Sequence, residues 1–427
     1  MARSQLKELF QTSLEGHIDG EAQMVGGIDS METACLDVEE AYQEVVTVEQ
    51  DLTDLEDIEA GLEAVTESLE AALEQGGLDA TAAQFAHHAV GAYTERLGLE
   101  AADLLPGLES FGGDTGRQSA TTVSLESVAQ TLKNIWNAIK AAVEKAIKAV
   151  TDFFAKIFGG IGKIEQRVDA LKKEVAEAKK KTLKDKAKVK VGSPNSLQLG
   201  GKVDAGALKS GMTNLMDVNK AIFGNMVGEA ESVYKTKADE ITKLKDKDDE
   251  AAAEAAQKAI LDASGKVVSS ASKLQSKILP GDKAILTTSK DGGEGTEVKV
   301  RLDSAKGAKS FSGSNEIDAL SISDMEQILS QAEGSVKAIK QSKDDIEKVK
   351  KARKDAMDAA KKVVDDSDRG RVGKVWTKSK AQAVLRMTQR DELRPVTQLA
   401  SHNFSVLRAV LAVVESSTKQ YEEKKSD

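Results

Sequence analysis

The residues of this chain that could carry out chemistry are few. It has one cysteine, Cys35, and four histidines, His17, His87, His88 and His402. A lone cysteine excludes an intramolecular disulfide framework and a multi-cysteine zinc site. His87 and His88 are adjacent, so on a helix they point about 100° apart and cannot share a metal as an i, i+4 pair does. Glu32 and Glu39 sit at helical spacing from Cys35, with Asp37 close by, and this setting disfavours a thiolate. Cys35 therefore reads as a core residue. Gly162-Lys163, Gly265-Lys266 and Gly373-Lys374 lack both the upstream glycine and the following Ser or Thr of a phosphate-binding loop. Asp365 and Asp366 are the nearest approach to a metal or acid-base pair, and without a surrounding α/β pattern they read as solvated charges at a helix end. No catalytic residue, metal or cofactor is expected, and the chain is not read as an enzyme.

A different chemistry is written in the dipeptide Leu-Glu, which occurs at Glu15, Glu56, Glu63, Glu70, Glu74, Glu100, Glu109 and Glu126 and nowhere after residue 126. Six of these have a small residue on both sides: SLEG, GLEA, SLEA, GLEA, GLES and SLES. Such segments suit the role of substrate in another protein's active site. Glu56, Glu63, Glu70 and Glu74 also fit a plain acidic, leucine-rich helix. Glu109 and Glu126 lie in or beside a Gly-rich stretch, where an extended chain can enter a protease cleft.

The elements that would position these residues follow from periodicity and charge. Residues 1–126 hold 27 acidic and 4 basic side chains, a net charge of −23, whereas the remainder carries +13 within a total of −10. This asymmetry marks an acidic pro- or interaction segment joined to a body that tolerates polyanions. Apolar residues recur every three or four positions from Met31 to Gln75, giving a long acidic helix with a break expected near Gly61 and a stop at Gly76-Gly77. A second helix spans Thr81 to Leu97. A Gly-rich linker is expected at 104–122.

Beyond it, a helix capped by Ser124 or Ser127 carries the apolar stripe Val128, Leu132, Ile135, Trp136, Ile139, Val143, Ile147, Val150, Phe153, Phe154 and Ile157. Lys133, Lys140, Lys145 and Lys148 occupy its other faces, and Gly159 and Gly160 weaken it. Residues 127–191 thus form a basic amphipathic arm. Residues 192–427 read as a mainly helical body containing a β-hairpin near 283–302, where AILTTSK and TEVKVRL alternate about DGGEG. Ser323 and Glu326 fit a capping box opening a helix to about Asp366, with ion pairs expected at Asp344–Lys348, Glu347–Lys351 and Asp358–Lys362. A final helix covers Pro395 to Glu423. The fold class is mainly α: an extended helical bundle with one small hairpin insertion. An aromatic content of 4% agrees with long helices rather than a sandwich or barrel. The opening MARSQLKELFQTSLEGHIDGE has no apolar core of a secretory signal, and no run approaches the length of a membrane span.

Small-x-Glu or Leu-x-Glu followed by a small residue resembles the sites cut by the prohead proteases of large tailed phages, T-even and phiKZ-like. The layout is similar to that of their internal head (inner-body, core) proteins: an acidic leader, then LESFGG, then TTVSLES opening a lysine-rich amphipathic helix. The run RPVTQLASHNFSVLRAVLAVVESSTKQY resembles the ending of such proteins, so the likeness covers mainly 1–160 and 390–421. It implies a precursor whose final P1 residue is Glu126, recognised through Ser124 and Leu125, with Ser127 as the new N-terminus. Glu109, with Gly107, Leu108 and Ser110, is an earlier or alternative site, and Glu100, Glu70, Glu63 and Glu15 chop the leader. The looser small-x-Glu matches at Glu254, Glu294 and Glu316 lack leucine. Implied partners are the prohead protease, capsid and inner-core proteins, and nonspecifically bound packaged DNA. Oligomers are left open.

Two alternatives stay open. One is a scaffold acting only in assembly. The other is an ejected protein whose helix 127–158 lies on an anionic membrane through Trp136, Phe153 and Phe154, set against packing of that face into a bundle.

Overall fold

A computed structural model describes residues 29–244, 250–292, 295–369 and 392–423. The protein is mainly helical with small antiparallel strand pairs. Among the described residues it forms two compact units, one of residues 44–149 and one of 29–43 with 150 onward.

In the first unit, the long helix α1 (Asp29–Glu74) contributes Val45, Val48, Leu52, Leu55, Ile58, Leu62, Val65 and Leu69, all buried. Their spacing of three or four keeps one narrow stripe on the inner side of the helix. Gly76 and Gly77 end α1 at φ +96° and +94°, the left-handed region that glycine enters without cost. Helix α2 (Ala80–Thr94) starts on Asp79, whose carboxylate accepts the Ala82 N–H at 2.8 Å.

The break expected at Gly61 is absent. A Cβ built there would lie 2.2 Å from the Tyr93 ring, so the glycine is a packing niche inside an unbroken helix. Gly61→Ala gains about 1 kcal/mol of helix propensity and pushes the ring away at a cost of about 1–3 kcal/mol. The expected net result is a lower denaturation midpoint, with Gly61→Ala in a Tyr93→Leu background recovering most of the loss.

Helix α3 (Asp114–Ala178) crosses the expected linker. It begins at Asp114, ten residues before the expected Ser124 cap, and continues through Gly159 and Gly160. Its early start is explained by burial: Ala120, Thr121 and Ser124 are all buried, and Thr121 Oγ1 accepts the Leu78 N–H at 2.8 Å. Gly160 is again a close approach, since a Cβ there would lie 2.9 Å from Phe404 and 3.3 Å from Ala34.

The second unit receives 150–178 of α3, then β1 (Thr182–Leu183) and β2 (Lys188–Lys190), so the basic arm ends in strands rather than helix. Helix α4 (Ala205–Ala221) passes through a π-helical turn (Ile222–Met226) into α5 (Val227–Lys243), followed by α6 (Glu250–Ser272). The expected hairpin is present as β3 (Lys283–Gly292) and β4 (Gly295–Ser304), paired from Lys283↔Ser304 to Gly292↔Gly295. Strand β5 (Glu316–Asp318) pairs with β2. Helices α7 (Ile322–Gln341), α8 (Lys343–Arg369) and α9 (Arg394–Thr418) lead to β6 (Tyr421–Glu422), which pairs with β1.

The single helix expected from Ser323 is therefore two. Its cap lies earlier, at Ser321, which accepts the Asp324 N–H. Two ion pairs of α8 form at spacing three, Lys348–Asp345 at 2.7 Å and Lys350–Glu347 at 2.8 Å, where Asp344–Lys348 and Glu347–Lys351 were expected. Between α4 and α9, Asn219 and Asn403 are both fully buried and exchange reciprocal amide hydrogen bonds of 2.6 and 2.7 Å. Each satisfies the other, which fixes the register of two otherwise apolar helices. Asn403→Leu strands the Asn219 amide and is expected to cost about 1–3 kcal/mol, read as a shift in urea midpoint.

Candidate processing site

Between α2 and α3, residues 98–113 form a connector that touches the first unit at intervals. Leu97, Leu105 and Phe111 are buried, and the ring nitrogen Nε2 of His87 lies 2.9 Å from the Pro106 carbonyl oxygen. Arg96 pairs with Asp54 of α1. The segment expected as a loose linker at 104–122 is thus pinned as far as Phe111 and helical from Asp114. Glu100 and Glu109 are both exposed between these pins.

Glu100 has extended backbone, φ −92° and ψ 140°, immediately before a single helical turn. Glu109 lies in a 3-10 turn entered through Gly107 at φ −56° and ψ 150°. A Cβ on Gly107 would fall 2.4 Å from Glu109 Oε1, so the glycine leaves room for the carboxylate to fold back over it. Leu108 is 40% exposed, and Ser110 is exposed beside it. A protease cleft reads an extended backbone, and this connector needs the least unwinding to supply one.

The other candidates are less accessible. Glu126 is exposed, but it lies about three turns inside α3, flanked by buried Ser124 and half-buried Leu125 and Ser127. Glu63 and Glu70 are half-buried within α1. Glu15 lies outside the described residues. Of the looser matches, Glu254 is inside α6, Glu316 is paired in β5, and Glu294 lies outside the described residues.

The same unit holds the start of the lysine arm against the acidic helix. Trp136 donates its indole N–H to Glu59 Oε1 at 2.5 Å, and Glu59 is 3% exposed. The Asp51 carboxyl is buried and held above its usual range by that burial, opposed by the Lys145 ammonium and reinforced by Asp54. Lys133 and Lys140 also have partners within the molecule. Lys148 is exposed and makes no ion pair among the described residues.

In the second unit, Phe153 and Phe154 are fully buried. Their centroids are 5.3 Å apart at 69°, with Tyr42 5.9 Å from Phe153 and Phe158 6.2 Å from Phe154. The face proposed to lie on a membrane is core in the folded chain. None of the described helices is long and apolar enough to cross a membrane.

Cys35 is buried, with its thiol 3.9 Å from the Phe404 carbonyl oxygen. Burial pushes its pKa up to about 11, with Arg408 opposing and Glu32 and Glu39 adding to the rise. The sequence located the carboxylates, but burial is the larger cause. His402 was passed over by sequence reasoning. Its pKa is pushed down to about 4 by burial and by the Lys283 ammonium, against a hydrogen bond that the ring donates to the Pro280 carbonyl. A histidine in an otherwise apolar helical stripe was the available signal. Among the described residues, no group of three or more His, Cys, Asp or Glu side chains is placed to hold a metal.

The chain is thus a long-helix protein whose connector leaves Glu100 and Glu109 exposed between pinned segments. The model of the phiKZ-like phage internal head proteins matches residues 32–416, and the chain belongs to that family. The match includes the middle of the chain, beyond the segments on which the sequence resemblance stood. Its place is therefore inside the phage head. No curated protein and no solved structure matches the chain.

Proposed function

We propose that the protein is made in the host cytoplasm as a precursor, enters the assembling head with its acidic leader in place, and is cut by the prohead protease before or as DNA is packaged. The observation that carries this is the connector, where Glu100 and Glu109 are exposed in non-helical backbone while Glu126 is helical. The role is structural, without enzymatic activity.

The geometry supports an order of cuts. Glu109 or Glu100 is cut first. Loss of α1 and α2 then removes the partners of Ala120, Thr121 and Ser124, the first turns of α3 fray, and Glu126 becomes the final site. Cutting within α1 at Glu63 and Glu70 follows the same loosening.

Leader loss also has an electrostatic result. A chain of net −10 becomes a body of +13, and Lys145 and Trp136 lose their leader partners Asp51 and Glu59. The uncovered lysines, with Lys148, then contact packaged DNA through phosphates, without sequence reading.

The test is a time course with the prohead protease. A new N-terminus at Ser110 or Ala101 is expected before Ser127. The double change Glu100→Gln and Glu109→Gln should slow the appearance of Ser127 about tenfold or more although Glu126 is untouched. Simultaneous cutting at Glu126, unaffected by the double change, contradicts the order.

A further inference from the structure

In the second unit, α1, α9 and the base of the β3–β4 hairpin line a half-open pocket of about 330 Å³. Its lining contains two cations, Lys283 and Arg408, and neither makes an ion pair among the described residues. Among the described residues the Lys283 ammonium donates to the Ser304 hydroxyl alone, at 3.3 Å. Glu39 of α1 lines the same space and is exposed at its rim, so the lining carries one more positive than negative charge. Ser401 and Ser405 add hydroxyl groups.

His402 also lines this space. Its Nε2 is buried and without a hydrogen-bond partner among the described residues, while the Pro280 carbonyl accepts from the ring. Pro280 offers only a carbonyl, so the other ring nitrogen carries the proton and donates to it, and the neutral imidazole presents a lone pair at Nε2. A buried acceptor left unpaired costs about 1–3 kcal/mol, and a bound donor would remove that cost.

These groups ask for a ligand that is anionic and also carries an acidic O–H. We infer that the cavity binds a phosphoryl group that retains a P–OH: inorganic phosphate, or the terminal phosphate of a nucleic-acid strand. Its oxygens accept from Arg408, Lys283 and the two serines, while its P–OH donates to His402 Nε2. An internal phosphodiester has no P–OH and leaves His402 Nε2 unpaired. The site includes α1 residues and belongs to the uncut chain, so it stands or falls independently of processing.

The test is calorimetric titration of the full-length, uncut protein at pH 6 with inorganic phosphate. Saturable binding is expected, weakened about tenfold or more in Arg408→Gln and in Lys283→Gln, each with an unchanged unfolding midpoint because both side chains are half-exposed. Sulfate has the same shape but no O–H, and it should bind about tenfold more weakly. A strand bearing a 5′-phosphate that outcompetes its 5′-hydroxyl counterpart identifies a nucleic-acid end as the source. Equal binding of the two strands, alongside specific phosphate binding, identifies the free ion. No saturable phosphate binding, binding unchanged in both variants, or sulfate equal to phosphate overturns the proposal.

Discussion

Phe154→Ala is expected to lower the stability of the uncut protein by about 3–5 kcal/mol, the range for removing a large aromatic side chain from a close-packed interior. The ring is fully buried and meets Phe153 edge-on and Phe158 in a stacked pair. Its loss removes both transfer energy and two ring contacts, and α3 is too long and continuous here for the hole to collapse cheaply. Urea unfolding followed by circular dichroism measures this. The result also decides between the two uses of the amphipathic stripe. A ring that serves a membrane leaves the unfolding midpoint in place when changed and lowers binding to anionic vesicles. A ring that serves the core does the reverse, and the structure predicts the reverse.

The second large effect is on the acid side of the stability profile. His402 takes a proton near pH 6.5 in the unfolded chain but only near pH 4 in the folded one. Between these values the unfolded state binds more protons, so stability falls as pH drops from about 6.5 to about 4 and levels off below. The window of about 2.5 units corresponds to about 3 kcal/mol. Glu415 contributes in the same direction, since hydrogen bonding to Lys419, opposed by burial and helped by Arg167, holds its pKa below the usual carboxylate range. Its share is lost as pH falls through that lowered value.

Chemical unfolding at half-unit pH intervals should show His402→Gln with a flatter limb between pH 6.5 and 4 than the parent protein. At pH 7 the variant tests whether glutamine satisfies the Pro280 backbone group. Parallel limbs in the two proteins would mean that His402 takes up its proton at the same pH folded and unfolded, so that the fold does not hold it neutral.

Much of this architecture was legible because long helices advertise themselves. The three-and-four spacing of Val45 to Leu69 and of Val128 to Phe154 located α1 and α3, and the alternation about DGGEG located the hairpin. What the sequence concealed was partnership between distant positions. Gly61 and Gly160 read as weak points because local propensity sees only the missing side chain, whereas Tyr93 and Phe404 are what occupy the space. Strands β1, β2, β5 and β6 have two or three residues each, too few to alternate, and their partners are remote in sequence.

The candidate site divides the same way. The Leu-Glu pattern was visible as residues, but its accessibility was not. Glycines at 107, 112, 113 and 116 suggested a loose chain as far as 122. In fact Phe111 anchors the segment, and helix begins at Asp114 because Ala120, Thr121 and Ser124 have a surface to bury against. Trp136 was offered as a contact for an anionic membrane, and in the folded chain its indole N–H is held by Glu59.

The most direct test of the precursor account is peptide mass spectrometry of this protein from finished particles and from immature heads, searched for termini that no digesting enzyme produces. The account predicts an N-terminus at Ser127 in finished particles with α1 and α2 peptides absent, and termini at Ala101 or Ser110 in immature heads. The uncut chain from α1 through α9, recovered in finished particles at the same abundance as the body peptides, would contradict it.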